Sequence, residues 1–438
     1  MVLLRNFINI FKVVELKKKV LFTLGILIIY RLGIHIPAVG VDIAKLQSFM
    51  ADTGSALSGL LSYLDMFSGG ALAKCTIFAL GITPYITSSI MMQMLGMTIP
   101  HLEQLLKEGE YGRKVINQYT RYLTFGISLM QSFIFATALE RGGFVVTPGW
   151  GFRLMFMLSL TVGSMFVMWL GEQITMFGIG NGSSLIIFAG IVAKFPSDAI
   201  KTVYQVREGH LPLWKGIAIL VAFVVITACI VFLEKGSRKI PVQYTRRIVG
   251  QRVYGGQSTY IPFKINTAGV MPAIFASSVM QIPLFLISFF ANRFESLKWL
   301  GAYVSPMGLV NSIIMFLLII FFSFFYTALV FNPEELADNI KKSGGFIPGI
   351  RPGKKTAEFF NYILTRVGLV GAIYLGLLAL LPNIMIMALG VPFMISGTAL
   401  LIAVGVSLDT ASQIESHLIE HRYEGFLSSG RITGRRGR

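Results

Sequence analysis

Charge is scarce in this chain: only 13% of its 438 residues are Asp, Glu, Lys or Arg, against about a quarter in an ordinary soluble domain. Acidic residues are the scarcer kind, 21 against 38 Lys and Arg, which leaves a formal net charge of +17. Cysteine is nearly absent. Cys75 and Cys229 both fall in or beside apolar stretches, which excludes a disulfide framework and a cysteine metal cluster. With 54% hydrophobic residues and a mean hydropathy of +0.70, the composition excludes an ordinary arrangement of water-soluble cores.

What the chain has instead is a series of apolar runs. A hydrocarbon core about 30 Å thick is crossed by ~20 apolar residues in a helix, and ten stretches fit: 18 to 36, 76 to 99, 121 to 139, 153 to 172, 182 to 204, 213 to 233, 266 to 291, 306 to 331, 367 to 387 and 391 to 410. The expected fold is therefore an all-α polytopic membrane protein. Two long, strongly basic loops, 234–265 and 332–365, interrupt the second half. Ten spans put both termini on one face, and that face carries most of the Lys and Arg, so both termini are expected to be cytoplasmic. Positive charge concentrated there suits anionic lipid, nucleic acid or an acidic protein. Lys17, Lys18 and Lys19 ahead of VLFTLGILIIY resemble a signal peptide, but no small-residue cleavage site follows and Arg31 and His35 do, so the span is expected to be retained.

Three local motifs carry little. HLIEH, His417 to His421, matches a zinc pattern but lies on a polar, helical tail without an apparent third ligand. GIRPGKKT, Gly349 to Thr356, has glycine spacing one residue short of a phosphate loop and no buried strand before it. Asn181-Gly182-Ser183 fits a glycosylation acceptor, but the topology puts it in the cytoplasm or the membrane, where a helix start explains it. No catalytic residue, metal or cofactor is expected.

Ion-coupled transporters carry buried ionisable groups near the midplane. Here the centres of spans two, three, seven, eight and nine have none, and Arg31, Glu172 and Asp409 lie near span ends. A small-solute transporter is disfavoured on that ground. An intramembrane hydrolase lacks a visible nucleophile with its base. Glycine and proline break several spans, as in GITPYITSS, FGIGNGSS and AGVMPAIF, and such breaks need neighbouring protein or a water-filled cavity to satisfy the freed backbone. Residues 60 to 74, LLSYLDMFSGGALAK, are apolar but too short and glycine-rich to cross, and read as an external re-entrant segment, with a surface amphipathic helix as the alternative. Helical spacing puts Ile82, Ile86, Ser89 and Gln93 on one stripe and Ile274, Ser278 and Gln281 on another.

DMFSGGALAKCTIFALGITPYITSSI, MWLGEQIT with GIGNGSSLIIFAGIVA, AGVMPAIFASS, and FFYTALVFNPEELADNIKKSGGFIPGIRPG resemble the signatures of the SecY family of bacterial protein-conducting channel subunits. The resemblance covers nearly the whole chain. It implies a pore that passes unfolded preproteins across the cytoplasmic (inner) membrane and releases membrane helices through a lateral gate. Two pseudo-symmetric five-helix halves are implied, 1–205 and 206–410, with a cytoplasmic tail at 411–438.

By resemblance, the re-entrant segment is the plug, with Leu64, Met66, Phe67, Gly69 and Gly70. The pore ring maps onto Ile82, Ile86, Ile187, Ile274 and Ile402, aliphatic side chains that close around an extended chain while offering ions no ligand. Ser183 stands where a further aliphatic member is usual. Ser89, Gln93, Ser278 and Gln281 fall on the two helices that flank the lateral gate. Hydrogen bonds across such a seam are worth about 0.6 to 2 kcal/mol each; bonds to each residue's own helix are the alternative. Arg246, Arg247, Arg252 and Arg351 match positions that dock the ribosome and the motor ATPase SecA, while Gln251, Met176 and Phe177 depart from the usual residues. SecE and SecG are the implied small partner subunits, signal sequences the implied cargo, and anionic lipid a further neighbour.

Overall fold

The computed structural model describes residues 13–51, 65, 68–209, 211–244, 247–249, 252–254, 258–290, 308–389 and 397–429. The fold is mostly helical. The chain divides into two compact units, Met1–Pro196 with Val406–Arg438, and Ser197–Gly405.

The first unit holds α1 (Val14–Gly33), α2 (Ile43–Ala51), α3 (Thr83–Thr98), α4 (Pro100–Lys107), α5 (Glu110–Arg141), α6 (Trp150–Phe177) and most of α7 (Gly182–Arg207). The second holds α8 (Leu213–Lys235), strands β1 (Ser237–Tyr244), β2 (Arg247–Val249), β3 (Arg252–Tyr254) and β4 (Ser258–Lys264), then α9 (Met271–Phe290), α10 (Leu309–Val330), α11 (Pro333–Lys342), β5 (Gly345–Phe346) and α12 (Lys354–Leu389). The last helix, α13 (Gly397–Ser429), begins in the second unit and ends in the first.

A helix lies on each of the ten apolar stretches. Seven helices among the described residues, α5, α6, α7, α8, α10, α12 and α13, are long and apolar enough to cross a membrane by length and composition. Many of their apolar side chains point outward. On α8, Leu213, Ile217, Leu220, Val221, Val224, Val225 and Phe232 are all exposed, a surface suited to lipid and costly in water. Together with the run of apolar helices, this makes the chain a multi-pass membrane protein.

Inside the first unit, a row of small hydroxyl side chains on α5 is buried and hydrogen-bonded. Thr120, Thr124, Ser128 and Ser132 recur every fourth residue on α5, all buried. Thr124 and Ser132 donate to the carbonyls of Thr120 and Ser128 at 2.7 and 2.6 Å, and Ser132 Oγ lies 3.4 Å from Thr161 Oγ1 of α6. Short hydroxyl side chains of this kind let α5 and α6 approach closely. Between the same two helices, the Arg121 fork meets Glu172 at 2.9 and 2.8 Å, a two-point bond that neutralises the carboxylate.

Several helix bounds differ from the apolar runs, and three of the differences have a local reason. The second stretch was expected to be helical from residue 76, but residues 69–82 form turns and α3 starts at Thr83. Gly81, at φ +56°, takes a left-handed conformation that ends any helix, and Pro84 fits the first turn of a new one, where its missing N–H costs nothing. Hydropathy is blind to both effects. Helix α12 starts at Lys354, well before residue 367, because polar residues continue a helix beyond the apolar run. The polar tail likewise continues α13 to Ser429, with His417 Nδ1 3.5 Å from Glu420 and no metal-holding cluster among the described residues.

Candidate functional site

The aliphatic residues assigned to the seal are all buried: Ile82, Ile86, Ile187, Ile274 and Ile402. In the first unit, Ile82 caps α3 and its carbonyl accepts the Ile86 N–H at 3.2 Å, so the two are one turn apart despite the late helix start. A Cβ placed on Gly171 of α6 would lie 3.2 Å from Ile82 Cδ1, 3.4 Å from Ile186 Cδ1 and 3.6 Å from the Ser183 nitrogen. Gly171 therefore marks the point where α3, α6 and the start of α7 converge. Gly182 completes the crossing, because a methyl there would sit 1.8 Å from the Gly171 carbonyl oxygen and force the helices apart. Asn181 caps α7, its Oδ1 accepting from the Ser183 and Ser184 nitrogens at 3.1 and 3.4 Å. Ser183 Oγ donates to the same oxygen at 2.7 Å, so this polar residue in place of an aliphatic one is hydrogen-bonded locally.

In the second unit, α13 crosses the entry to α9 where a Cβ on Gly405 would meet Val270 Cγ1 at 1.9 Å. Ile402 lies one turn before Gly405, and Ile274, whose N–H bonds to the Val270 carbonyl at 3.2 Å, one turn after Val270. Just before the crossing, Asn266 donates to Glu234 Oε1 at 2.7 Å and to the Gly269 carbonyl at 2.9 Å, fixing the turn into α9.

Of the gate candidates, Gln93 Nε2 donates to Ser89 Oγ at 3.2 Å, which puts both on one face of α3. Gln93 Oε1 is buried without a hydrogen-bond partner. A buried amide oxygen left unpaired costs about 1 to 3 kcal/mol. Ser278 and Gln281 are buried in the second unit.

Of the plug candidates, Leu64, Met66 and Phe67 lie outside the described residues, whereas Gly69 and Gly70 do not. The described part of the segment folds as hydrogen-bonded turns. Asp65 Oδ1 accepts the Ala73 N–H at 2.8 Å, and Ser68 Oγ, which contacts Asp65 at 3.4 Å, accepts the Leu72 N–H at 3.2 Å. Beyond it, Phe78 stacks on Tyr30 of α1 and Phe166 of α6.

The two basic loops fold together, which their sequences did not reveal. Strands β1 and β4 from the first loop pair antiparallel from Ser237↔Lys264 to Gln243↔Ser258, and β5 from the second adds to β1 at Gln243↔Phe346 and Tyr244↔Gly345. Ile240, Val242 and Phe263 of this sheet share a buried core with Ile340 of α11, Ile347 and Phe360 of α12. Helix α11 is capped by Asn332, whose Oδ1 accepts from Glu334 and Glu335. A second hairpin, β2 with β3, pairs Arg247↔Tyr254 and Val249↔Arg252. Arg246 and Gln251, and the side chains of Arg247 and Arg252, lie outside the described residues.

Arg351 is exposed at a tip between Gly349 and Gly353, where Thr356 Oγ1 holds its carbonyl at 3.0 Å. It borders a groove of about 660 Å³ lined also by Ile350, Lys355, Glu358, Phe359 and Tyr362. Lys355 donates to Glu358 at 2.8 Å, and that hydrogen bond with its charge holds the Glu358 carboxyl below its ordinary pKa. Arg366 lies over the Tyr362 ring at 4.2 Å. The rim is thus cationic around an aromatic floor. Met176 and Phe177, by contrast, are exposed apolar residues at the end of α6.

Two groups escaped the sequence reading. Asp65 is the lone charge in LLSYLDMFSGG, a signal that was available, and its carboxylate is bonded by Lys194 of α7. Gly171 and Gly182 gave no signal beyond being glycine.

Comparison with known proteins identifies the family and the fold. The SecY family model matches residues 76–411. The protein translocase subunit SecY of Streptomyces coelicolor is 46% identical over 440 residues, covering 97% of this chain and 100% of that one. The structure of a protein-conducting channel superposes with a TM-score of 0.69 at 19% identity, covering 95% of each chain. Sec61 in a canine ribosome–channel complex from the endoplasmic reticulum superposes with a TM-score of 0.63 at 16% identity over 95% of each chain. With its helical fold, its buried aliphatic residues at two helix crossings and these matches along almost its entire length, the chain belongs to the SecY family.

Proposed function

We propose that this chain forms the pore of the protein translocase in the bacterial cytoplasmic membrane, with all ten apolar stretches crossing it and both termini in the cytoplasm. Unfolded preproteins pass through it, and sufficiently apolar segments leave sideways into lipid. Membership of the SecY family over almost the whole chain is the observation that carries this reading. The residues fit a passive conduit: aliphatic side chains at the helix crossings give ions no ligand, and a gate of Ser89, Gln93, Ser278 and Gln281 offers hydrogen bonds weak enough for a hydrophobic segment to replace. The two halves 1–205 and 206–410 would carry these groups between them, with 411–438 as a tail.

Energy would come from outside, from SecA hydrolysing ATP or from chain elongation on the ribosome. Their contact is the folded module of β1, β4, β5, α11 and the start of α12, presenting Arg351 with Arg246, Arg247 and Arg252. SecE and SecG would complete the membrane complex.

Reconstitution tests the function. Purified chain with SecE in liposomes, given SecA, ATP and a preprotein, is expected to protect the preprotein from added protease, and transport of a small solute with no preprotein movement would overturn the proposal. Orientation is tested separately. Protease added to inside-out vesicles is expected to cut within 234–265 and 332–365, and cutting only from the external face would reverse the assignment.

A further inference from the structure

We infer that Lys194 of α7 latches the plug segment through the carboxylate of Asp65, and that this ion pair sets how strong a signal sequence must be to open the channel. The inference rests on the channel reading above and assigns a specificity-determining role to two residues within it.

Five contacts, all inside the first unit, carry it. The Asp65 carboxylate divides its two oxygens: Oδ1 organises the segment itself by accepting the Ala73 N–H at 2.8 Å, while Oδ2 accepts the Lys194 ammonium. The segment lies directly on α7 at that level, because a Cβ on Gly69 would fall 2.8 Å from the Gly190 Cα. Gly70 lies under the lysine stem, its added Cβ 3.8 Å from Lys194 Cε. From the other side, Arg31 Nη1 of α1 donates to the Gly69 carbonyl at 3.2 Å. One cation thus grips a side chain and the other the backbone.

The placement along α7 gives the pair its consequence. Ile187, Gly190 and Lys194 follow one another at helical spacing, so the aliphatic seal candidate, the backbone contact and the latch lie on adjoining turns of one face. Movement of the segment off Gly190 must separate Lys194 from Asp65. The Asp65 side chain is only 7% exposed and that of Lys194 24%, so separation leaves a poorly hydrated carboxylate until water reaches it. An apolar signal sequence supplies no replacement for that bond. It must offset the loss by its own burial, and a weak signal sequence does so less well.

The test uses full-length chain reconstituted with SecE, reading two quantities: resting conductance, and the ratio of translocation for a preprotein with a shortened apolar signal core to that for the intact preprotein. Lys194→Gln leaves Asp65 Oδ1 and its turn in place and is expected to raise the ratio by roughly 5- to 30-fold, the shift that follows from one or two kcal/mol. Lys194→Glu should exceed it, and Lys194→Arg should stay near wild type. Asp65→Asn added to Lys194→Gln should contribute little more. If Lys194→Gln and Lys194→Glu keep the wild-type ratio and conductance, the latch is overturned, and Asp65 only staples its own turn. A second measurement works on channels already assembled. In a chain with Cys75 and Cys229 replaced by Ser, Lys194→Cys is modified by a thiosulfonate bearing an ethylammonium group or by one bearing methyl; only the cationic reagent should lower conductance, and equal effects would also overturn the latch. Wild-type chain that fails to translocate the intact preprotein would sink the channel reading and the latch together, whereas normal wild-type translocation with silent Lys194 variants sinks the latch alone.

Discussion

Channels carrying Ile86→Asn and Ile274→Asn together are expected to leak small ions at rest, raising basal conductance in planar bilayers roughly ten-fold. Both isoleucines are buried, so each asparagine brings an amide into a site lined by hydrocarbon. An amide without a partner there loses about 2 to 7 kcal/mol, and water or a hydrated ion is the partner available in a pore. A barrier lowered by only ~1.4 kcal/mol, a fraction of that penalty, already gives ten-fold. Ser183→Ile should act in the opposite direction and weakly, because the Ser183 hydroxyl is already held by Asn181 at 2.7 Å. The double Asn variant should still co-purify with SecE, since the crossings that position α3 and α9 depend on Gly171, Gly182 and Gly405. Wild-type conductance from an equal amount of double-variant channel would remove these residues from the seal.

Much of this architecture was legible because lipid imposes one strong rule, that a spanning segment be apolar and helical. The helices follow the apolar runs wherever composition alone decides. They depart from them where conformation decides, as at Gly81 and Pro84, which delay α3 to Thr83. The sheet of β1, β4 and β5 illustrates a different blindness. Its period-two alternation is present in β1, where Ile240 and Val242 are buried between exposed neighbours, but Pro241 and Pro262 argue against strands. Both are tolerated because β4 is an edge strand and β5 covers β1 only at Gln243 and Tyr244. That two separate loops share a core was beyond local pattern, since β1 and β5 are brought together only by α11 and α12 closing over them. At the candidate site, residue identities came from family resemblance, while the reasons for their positions came from glycines whose missing side chains permit the crossings. The Asp65–Lys194 pair joins residues 129 apart, and no periodicity reports such a contact.

Arg351→Glu is expected to leave membrane insertion and SecE binding intact while reducing SecA-driven translocation about 100-fold. Arg351 is exposed, and the structural work at its position is done by its carbonyl, which any residue supplies to Thr356. The core beneath, built on Val242, Phe263 and Phe360, does not include the guanidinium. Stability should therefore be unaffected, as for most surface substitutions away from caps and cores. Docking is another matter. An acidic partner seated on the cationic rim would meet a carboxylate in place of a guanidinium, and like charges in contact cost several kcal/mol, with each ~1.4 kcal/mol worth ten-fold in affinity. Lys355 and Arg366 cannot fully compensate, because Lys355 is engaged by Glu358 at 2.8 Å and Arg366 lies over Tyr362. Arg351→Lys separates charge from shape: it keeps the positive charge but loses the planar two-point fork, and should fall between wild type and Arg351→Glu. The wild-type interaction should also weaken as salt shortens the screening length from about 10 Å at 0.1 M toward 3 Å at 1 M, whereas the Arg351→Glu variant should recover slightly as repulsion is screened. Translocation unchanged by Arg351→Glu, with matching salt dependence in variant and wild type, would place the docking contact elsewhere on the module.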